Sequence, residues 1–204
     1  MARTRRDEHV ADTRQALITA ARELFAGQGF AATGTEEIVS RARVTRGALY
    51  HHFKDKTDLF RAVMEEVATE MAESLIDREL QRAREDVEVD AWDQLCDGIH
   101  AFLDVCLENG DFQRVMLVDG PSVFGHEAWD GLVEKHGYSL LAQWLEKAME
   151  EGRIARLPVA PLTRMMAGLI SEASLYMARC EDPVQGRDDA GVVVDRLLSG
   201  LQVP

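Results

Sequence analysis

Hydrophobic residues at the start of the chain recur every three or four positions, the spacing that places them on one face of an α-helix. This spacing predicts a first helix over about residues 11–26, whose apolar face includes Leu17 and Phe25. Gly27 and Gly29 are expected to end this helix, because glycine adopts a left-handed cap without a Cβ clash.

Two short helices are predicted next, joined by a tight connection at residues 43–44. The first is expected to open at Thr33. Together with Glu36, Thr33 matches the capping box S/T-x-x-E, in which each side chain bonds the backbone amide of the other residue. The second is expected to open at Thr45, a good N-cap residue. Two short helices after a supporting helix are typical of a helix-turn-helix, which the pattern places at residues 33–53.

A helix-turn-helix recognises DNA through its shape. A helix about 10–12 Å across fits the major groove, which is about 12 Å wide, and the second helix offers its N-terminal side chains to base edges. Leu49 and Phe53 are predicted to face inward, which leaves the outer surface to Thr45, Arg46, Tyr50 and His51. An arginine there can bond a guanine edge or a phosphate.

The remaining pattern predicts an all-α chain. A long fourth helix is expected from about Lys56 to about Arg84, with an apolar residue at every fourth position. The later helices are too apolar to stand alone and are expected to pack as a bundle; they are predicted at residues 92–108, 112–118, 127–151, 160–179 and 188–201. The predicted fold has about nine helices, with an N-terminal three-helix helix-turn-helix domain at residues 1–55 and a C-terminal helical bundle at residues 56–204.

Charge is distributed unevenly along the chain, whose formal net charge is −13. Residues 1–60 contain ten Lys and Arg against eight Asp and Glu, whereas residues 61–204 contain 13 against 28. A mildly basic N-terminal part, followed by an acidic remainder, is compatible with phosphate binding by the N-terminal part.

No apolar run approaches the roughly 20 residues that span a bilayer. The charged N-terminus lacks the apolar core of a signal peptide, so a cytoplasmic protein is expected. Three scattered cysteines without a CxxC pair predict no metal site, and no motif predicts a cofactor.

Residues 14–60 resemble the N-terminal domain of the TetR family of transcriptional regulators. The resemblance rests on the string TRGALYHHFKDK at residues 45–56 and on the positions around it, namely Ala21, Leu24, Phe25, Gly29, Phe30, Thr33, Ile38, Leu59 and Phe60. It implies that Thr35 contacts phosphate and that the turn entering the groove consists of Thr45, Arg46 and Gly47. It further implies DNA contacts by Tyr50, His51, His52 and Lys56.

Arg43 departs from the family pattern, which has glycine in the turn between the two helices. If Arg43 adopts a positive φ, the conformation costs about 1 kcal/mol relative to glycine. A phosphate contact could offset this cost, and a solvated arginine in an altered turn explains the residue equally well.

Taken singly, Tyr50 and His52 are better explained by packing and capping, and Lys56 by an ordinary surface position. Together, within the family string, they favour DNA binding.

The resemblance also implies a cavity in the C-terminal domain, whose occupant reorients the fourth helix and the DNA-binding heads. The candidate lining residues, each of which is by itself more often plain core, are Phe102, Cys106, Met116, Phe124, Trp129, Trp144, Met165 and Tyr176. The acidic surroundings favour a cationic or neutral apolar ligand over an anionic one. Gly120 and Pro121 are expected to break a helix here, with Asp119 capping the next turn.

The last two helices are predicted to form the contact of a two-fold homodimer, because residues 160–179 mix large apolar residues with small ones and the final helix is very apolar. A symmetric dimer predicts a palindromic double-stranded DNA operator, read by helices about 34–36 Å apart. The resemblance implies a repressor that leaves its operator when a small-molecule effector binds.

A helical interaction protein and a small-molecule-processing enzyme, both without DNA binding, are the alternatives. No paired carboxylates, nucleophile motif or phosphate-cradling glycine loop supports an enzyme. The intact string from Tyr50 to Lys56 argues against a protein that has lost DNA binding. A gel shift that weakens steeply as salt rises would separate the three functions.

Overall fold

The computed structural model describes residues 5–84, 90–125, 129, 131 and 138–203. The predicted all-α fold is confirmed, because every regular element in these ranges is a helix. The one departure among them is an isolated antiparallel bridge between Ile154 and Gln202. None of the helices in the described ranges is both long enough and apolar enough to cross a membrane.

Four helices form the N-terminal part of the chain: α1 (Arg5–Gln28), α2 (Thr35–Ala42), α3 (Arg46–His52) and α4 (Lys56–Arg84). Helix α1 begins about two turns earlier than the apolar pattern predicted, since its first residues are polar. We call α1, α2, α3 and their connections the head.

The predicted capping box at the start of α2 is wrong. The N-cap position is Gly34, and no side chain caps the helix. Thr33 is 1% exposed, and its hydroxyl donates to the Gly29 carbonyl at 2.8 Å. Thr33 therefore closes the loop between α1 and α2 instead of capping the helix that follows.

The head shares its hydrophobic core with the first half of α4. Leu17, Phe25, Ile38, Leu49 and Phe60 are each fully buried in this core. The same cluster continues into residues from later in the chain, namely Val105, Cys106, Phe112, Val115 and Met116. The core of the head thus extends beyond the boundary between residues 55 and 56.

Residues 110–124 form one continuous helical segment, which we call the 110–124 segment. It runs from α6 (Gly110–Phe112) through a π-helix (Gln113–Asp119) into α7 (Gly120–Phe124). In the π-helix each N–H donates to the carbonyl five residues back, as the Gly120 N–H does to Val115.

The predicted break at Gly120 and Pro121 is wrong, and so is the capping role of Asp119. Gly120 has helical angles, φ −52 and ψ −57, and proline is tolerated in the first turn of a helix, here α7. Asp119 is itself helical and makes no capping hydrogen bond.

The C-terminal bundle consists of α5 (Ala91–Glu108), α8 (Tyr138–Glu150), α9 (Val159–Arg179) and α10 (Pro183–Leu198), followed by a short 3-10 turn at Ser199–Leu201. These helices enclose a second hydrophobic cluster, in which Leu95, Leu103 and Leu145 are fully buried. Helix α10 begins five residues before the predicted start, because Asp182 caps it by accepting from the Val184 and Gln185 amides. The predicted helix over residues 127–151 lies partly outside the described residues.

Candidate nucleic-acid interface and cavity

The turn between α2 and α3 has a positive φ at Arg43, which the sequence had allowed as one possibility. Arg43 has φ 56 and ψ 39, in the left-handed region, and it is the sole described non-glycine residue with positive φ. The Val44 amide donates to the Val39 carbonyl at 3.0 Å, which closes the end of α2. The Arg43 side chain is exposed.

Helix α3 separates a buried face from an exposed one. Thr45 is its N-cap, as predicted, and the Thr45 hydroxyl accepts from the Ala48 amide at 3.2 Å. Leu49 and Phe53 are 0% and 3% exposed, whereas Tyr50 is 46% exposed. The cap and the apolar spacing therefore orient Thr45, Arg46, Gly47, Tyr50 and His51 towards solvent.

Two side chains, one on α2 and one on α3, contact Arg46. Its Nη1 lies 2.8 Å from Oε1 of Glu36 on α2, and its guanidinium lies 5.6 Å from the centre of the Tyr50 ring. Both partners of the ion pair are largely exposed, so the pair is weak and can exchange for an external anion. The sequence had not identified Glu36 as a partner of Arg46.

The two histidines end α3 side by side, with ring centres 5.2 Å apart. His51 is exposed and His52 is half-buried. Burial, together with the charges of His51 and Arg14, lowers the pKa of His52. The His52 imidazole is therefore neutral at neutral pH in the absence of an anion.

Lys56, the first residue of α4, holds the loop between α1 and α2. Its ammonium donates to the carbonyls of Phe30 and Thr33, at 2.8 and 2.9 Å, and lies 4.2 Å from the centre of the Phe30 ring. Two of its three donors are used in these bonds. Lys56 is half-buried, as is Thr35 in the first turn of α2.

A cavity of about 420 Å³ lies between α4, α5, the π-helix, α8 and α9. Four of the eight predicted lining residues belong to its wall: Phe102, Met116, Trp129 and Trp144. The sequence did not identify the α4 side of the wall, which includes Met71 and Leu75.

The structure does not place the other four predicted residues in the cavity wall. Cys106 is buried in the core that α4 shares with the head, and burial raises the pKa of its thiol to about 12. Phe124 stacks on Phe60, with ring centres 5.8 Å apart. Met165 and Tyr176 are 74% and 47% exposed on the outside of α9.

The 110–124 segment contacts the head near both of its ends. At the first end, Asp111 accepts from Arg22 of α1 at 2.6 Å, and Arg22 also pairs with Glu70 of α4 at 2.7 Å. At the second end, the Asp119 carboxylate accepts from the Phe30 backbone N–H at 2.8 Å. Between these contacts, the segment contributes Phe112, Met116 and Leu117 to the cavity wall. One continuous helical segment therefore touches both the head and the cavity.

Two family models match the chain. Residues 17–63 match the family described as bacterial regulatory proteins, tetR family. Residues 92–201 match the family described as tetracyclin repressor-like, C-terminal domain.

Named relatives match shorter parts of the chain. The HTH-type transcriptional regulator AcrR of Shigella flexneri is 48% identical over 65 residues, which are 32% of this chain and 30% of AcrR. The HTH-type transcriptional repressor BepR of Brucella suis is 43% identical over 54 residues, 26% of each chain. The HTH-type transcriptional activator FasR of Mycolicibacterium smegmatis is 41% identical over 54 residues, 26% of this chain and 25% of FasR. The matches therefore span less than a third of the length of each of these relatives.

Solved structures match along nearly the whole chain. A TetR-family transcriptional regulator from Pectobacterium atrosepticum has a TM-score of 0.73 and 29% identity, with 99% of each chain covered. RolR, solved in complex with resorcinol, has a TM-score of 0.70 and 20% identity, covering 96% of this chain and 90% of RolR. At that identity the likeness to RolR concerns the fold alone.

Proposed function

This chain belongs to the TetR family of bacterial transcriptional regulators, and we propose that it is a dimeric repressor that leaves a palindromic DNA operator when a small molecule occupies the cavity. The exposed face of α3 is the single observation that supports DNA binding most strongly. A fully buried Leu49 and the Thr45 cap fix the helix so that Arg46 and Tyr50 project away from the core. That is the presentation that a recognition helix needs in the major groove.

The nine predicted contact residues form two groups, those that enter the major groove and those that contact phosphate. Arg46 is placed to bond a guanine edge or a phosphate in exchange for Glu36, with Thr45 and Gly47 entering the groove beside it. Phosphate contacts are assigned to Thr35, Arg43, Tyr50, His51, His52 and Lys56, whose donor groups suit phosphate oxygens. We assign Lys56 a second task, since its bonds to the Phe30 and Thr33 carbonyls also fix the loop that precedes α2.

Two copies of the chain are proposed to meet through α9 and α10. Large apolar side chains on these helices are strongly exposed, among them Met165 at 74%, Val192 at 70% and Leu197 at 53%. Exposed apolar surface of this kind marks an interaction site in a water-soluble protein. To read a palindromic operator, such a dimer must place its two α3 helices in successive major grooves, about 34–36 Å apart.

The 110–124 segment is proposed to transmit the presence of a ligand to the head. A ligand that displaces Met116 or Leu117 outward also shifts Asp111 and Asp119, because all four residues belong to one continuous segment. Their bonds to Arg22 and to the Phe30 N–H then move the head. A change in the spacing of two heads would prevent both from entering adjacent grooves.

A gel shift on the DNA upstream of the protein's own gene, repeated at increasing salt, tests the proposal. Binding should weaken steeply with salt, because each phosphate contact releases counterions. Tyr50→Ala and Lys56→Ala should each weaken binding about tenfold, while Lys54→Ala, a change at the exposed lysine two positions away, should have a smaller effect. Salt-insensitive binding, or equal affinities for all variants with native circular dichroism, would contradict the proposal.

The direction of regulation needs its own measurement, because BepR is named as a repressor and FasR as an activator. A reporter driven by the bound promoter should be more active in cells without this protein than in cells with it. Lower activity without the protein would instead indicate an activator.

A further inference from the structure

The cavity wall is uncharged along the part of it that the structure describes. None of the described lining residues is Asp, Glu, His, Lys or Arg. A buried ion without a partner of opposite charge is strongly unfavourable in apolar surroundings. The described part of the wall therefore offers no charged partner to an anion or to a cation, whereas the sequence-based expectation had included cationic ligands.

Aromatic rings make up much of the wall, and their positions are fixed by close packing. The Trp144 indole lies directly against Gly98, and the Trp129 indole lies directly against Gly120, where in each case an added Cβ would overlap the ring. Phe102 contributes a further ring. Such flat apolar surfaces favour stacking with an aromatic partner.

The indole N–H groups are already used within the protein. The Trp129 N–H donates to the Met116 carbonyl at 2.8 Å, and the Trp144 N–H donates to the Glu79 carboxylate at 3.3 Å. The indole rings therefore present apolar surface to a ligand, while their N–H donors are occupied by bonds within the protein. Hydroxyl and amide groups come instead from the α8 and α9 side of the cavity, at Ser139, Gln143 and Ser171.

We infer that the cavity binds an uncharged aromatic molecule, stacked on the indole rings, with at most a few neutral polar groups directed at Ser139, Gln143 and Ser171. The volume of about 420 Å³ lies within the range of roughly 300–1,000 Å³ typical of small-molecule sites. This inference rests on the proposed function only in treating the cavity as the effector site.

Two dyes that differ by one charged group test the inference on the full-length protein. N-phenylnaphthylamine is neutral, and anilinonaphthalene sulfonate has the same aromatic frame with a sulfonate added. The neutral dye should quench the indole fluorescence of a Trp92→Phe variant, whose remaining tryptophans are both in the cavity wall. The sulfonate should bind at least about tenfold more weakly, because no described lining residue can pair with it.

A cation and a cavity-filling variant complete the test. Naphthyl trimethylammonium should fail to displace the neutral dye. Ala72→Phe, which introduces a ring at the α4 wall, should weaken dye binding at least about tenfold, whereas Ala11→Phe, at an exposed position on α1, should leave it unchanged. If Ala72→Phe does not fold, the charge comparison in the unfilled cavity still decides the matter.

The inference is overturned if the neutral dye does not bind, or if either charged compound binds as tightly. A gel shift with the dye present separates this result from the proposed function. Dye binding without release of DNA would support the ligand class and contradict ligand-responsive regulation. Release of DNA with the predicted charge preference would support both.

Discussion

Two substitutions of Arg43 distinguish the effect of its strained backbone from the effect of its charged side chain. Its backbone is in the left-handed region, with φ 56, where a Cβ approaches the following carbonyl oxygen and only glycine is unstrained. Its side chain is exposed in the turn before α3, on the side proposed to face DNA. Arg43→Gly removes both the strain and the charge, whereas Arg43→Ala removes the charge alone.

The magnitudes follow from these two differences. Arg43→Gly should be more stable than Arg43→Ala by about 1 kcal/mol, since alanine retains the strained φ. For a chain of this length that difference raises Tm by about 2–4 °C. If Arg43 contacts a phosphate, both variants should lose about one counterion from the salt dependence of DNA binding for each copy of the chain.

Thermal unfolding and salt-dependent gel shifts on the two variants and the parent measure both effects. Equal Tm for the glycine and alanine variants would refute the argument from backbone strain. An unchanged salt dependence in both variants would refute the phosphate contact and leave Arg43 as a solvated residue of the turn. The two results are independent, because stability is measured without DNA.

Three further predictions concern the rest of the molecule. Asp119→Ala should lower the free energy of unfolding by about 1–3 kcal/mol, because the Phe30 N–H loses its acceptor, and Asp119→Asn should lose much less in the same denaturant titration; equal losses would contradict the role of this bond. Leu197→Glu should halve the mass measured by light scattering at micromolar concentration, and an unchanged mass would exclude α10 from the dimer contact. DNA affinity should rise as pH falls from about 8 to about 6, because a nearby phosphate favours the charged form of His52, whose pKa is lowered in the free protein. His52→Gln should reduce this pH dependence of DNA affinity. The same pH dependence in both proteins would exclude His52 as its source.

Local signals in the sequence were sufficient to predict most of the head. The Thr45 cap and the buried positions of α3 each depend on neighbours within about one helical turn. The α2 boundary was wrong because Thr33 has two available partners, and it bonds the Gly29 carbonyl behind it instead of the helix ahead. The choice between them depends on the path of the loop, which no local pattern determines.

The cavity was harder to predict because a helical period identifies an apolar face without saying what covers it. Helix α9 is apolar on two sides. Ile170 and Ala167 of α9 line the cavity, whereas Met165 and Tyr176 are exposed. The bond between Asp119 and Phe30 joins residues 89 positions apart, and nothing near either residue in the sequence indicates it.

The π-helix determines the directions in which Met116 and Asp119 point relative to each other. In a regular α-helix, residues three apart lie nearly above one another, so Met116 and Asp119 would share one side. Five-residue bonding turns the chain less per residue, and here Met116 reaches the cavity while Asp119 reaches the Phe30 N–H. Deleting one of residues 113–115 would restore ordinary winding while keeping Met116 and Asp119 three positions apart, and the two side chains would then lie closer to one side of the helix. Both side chains would remain, but they could no longer be directed at two different neighbours at once.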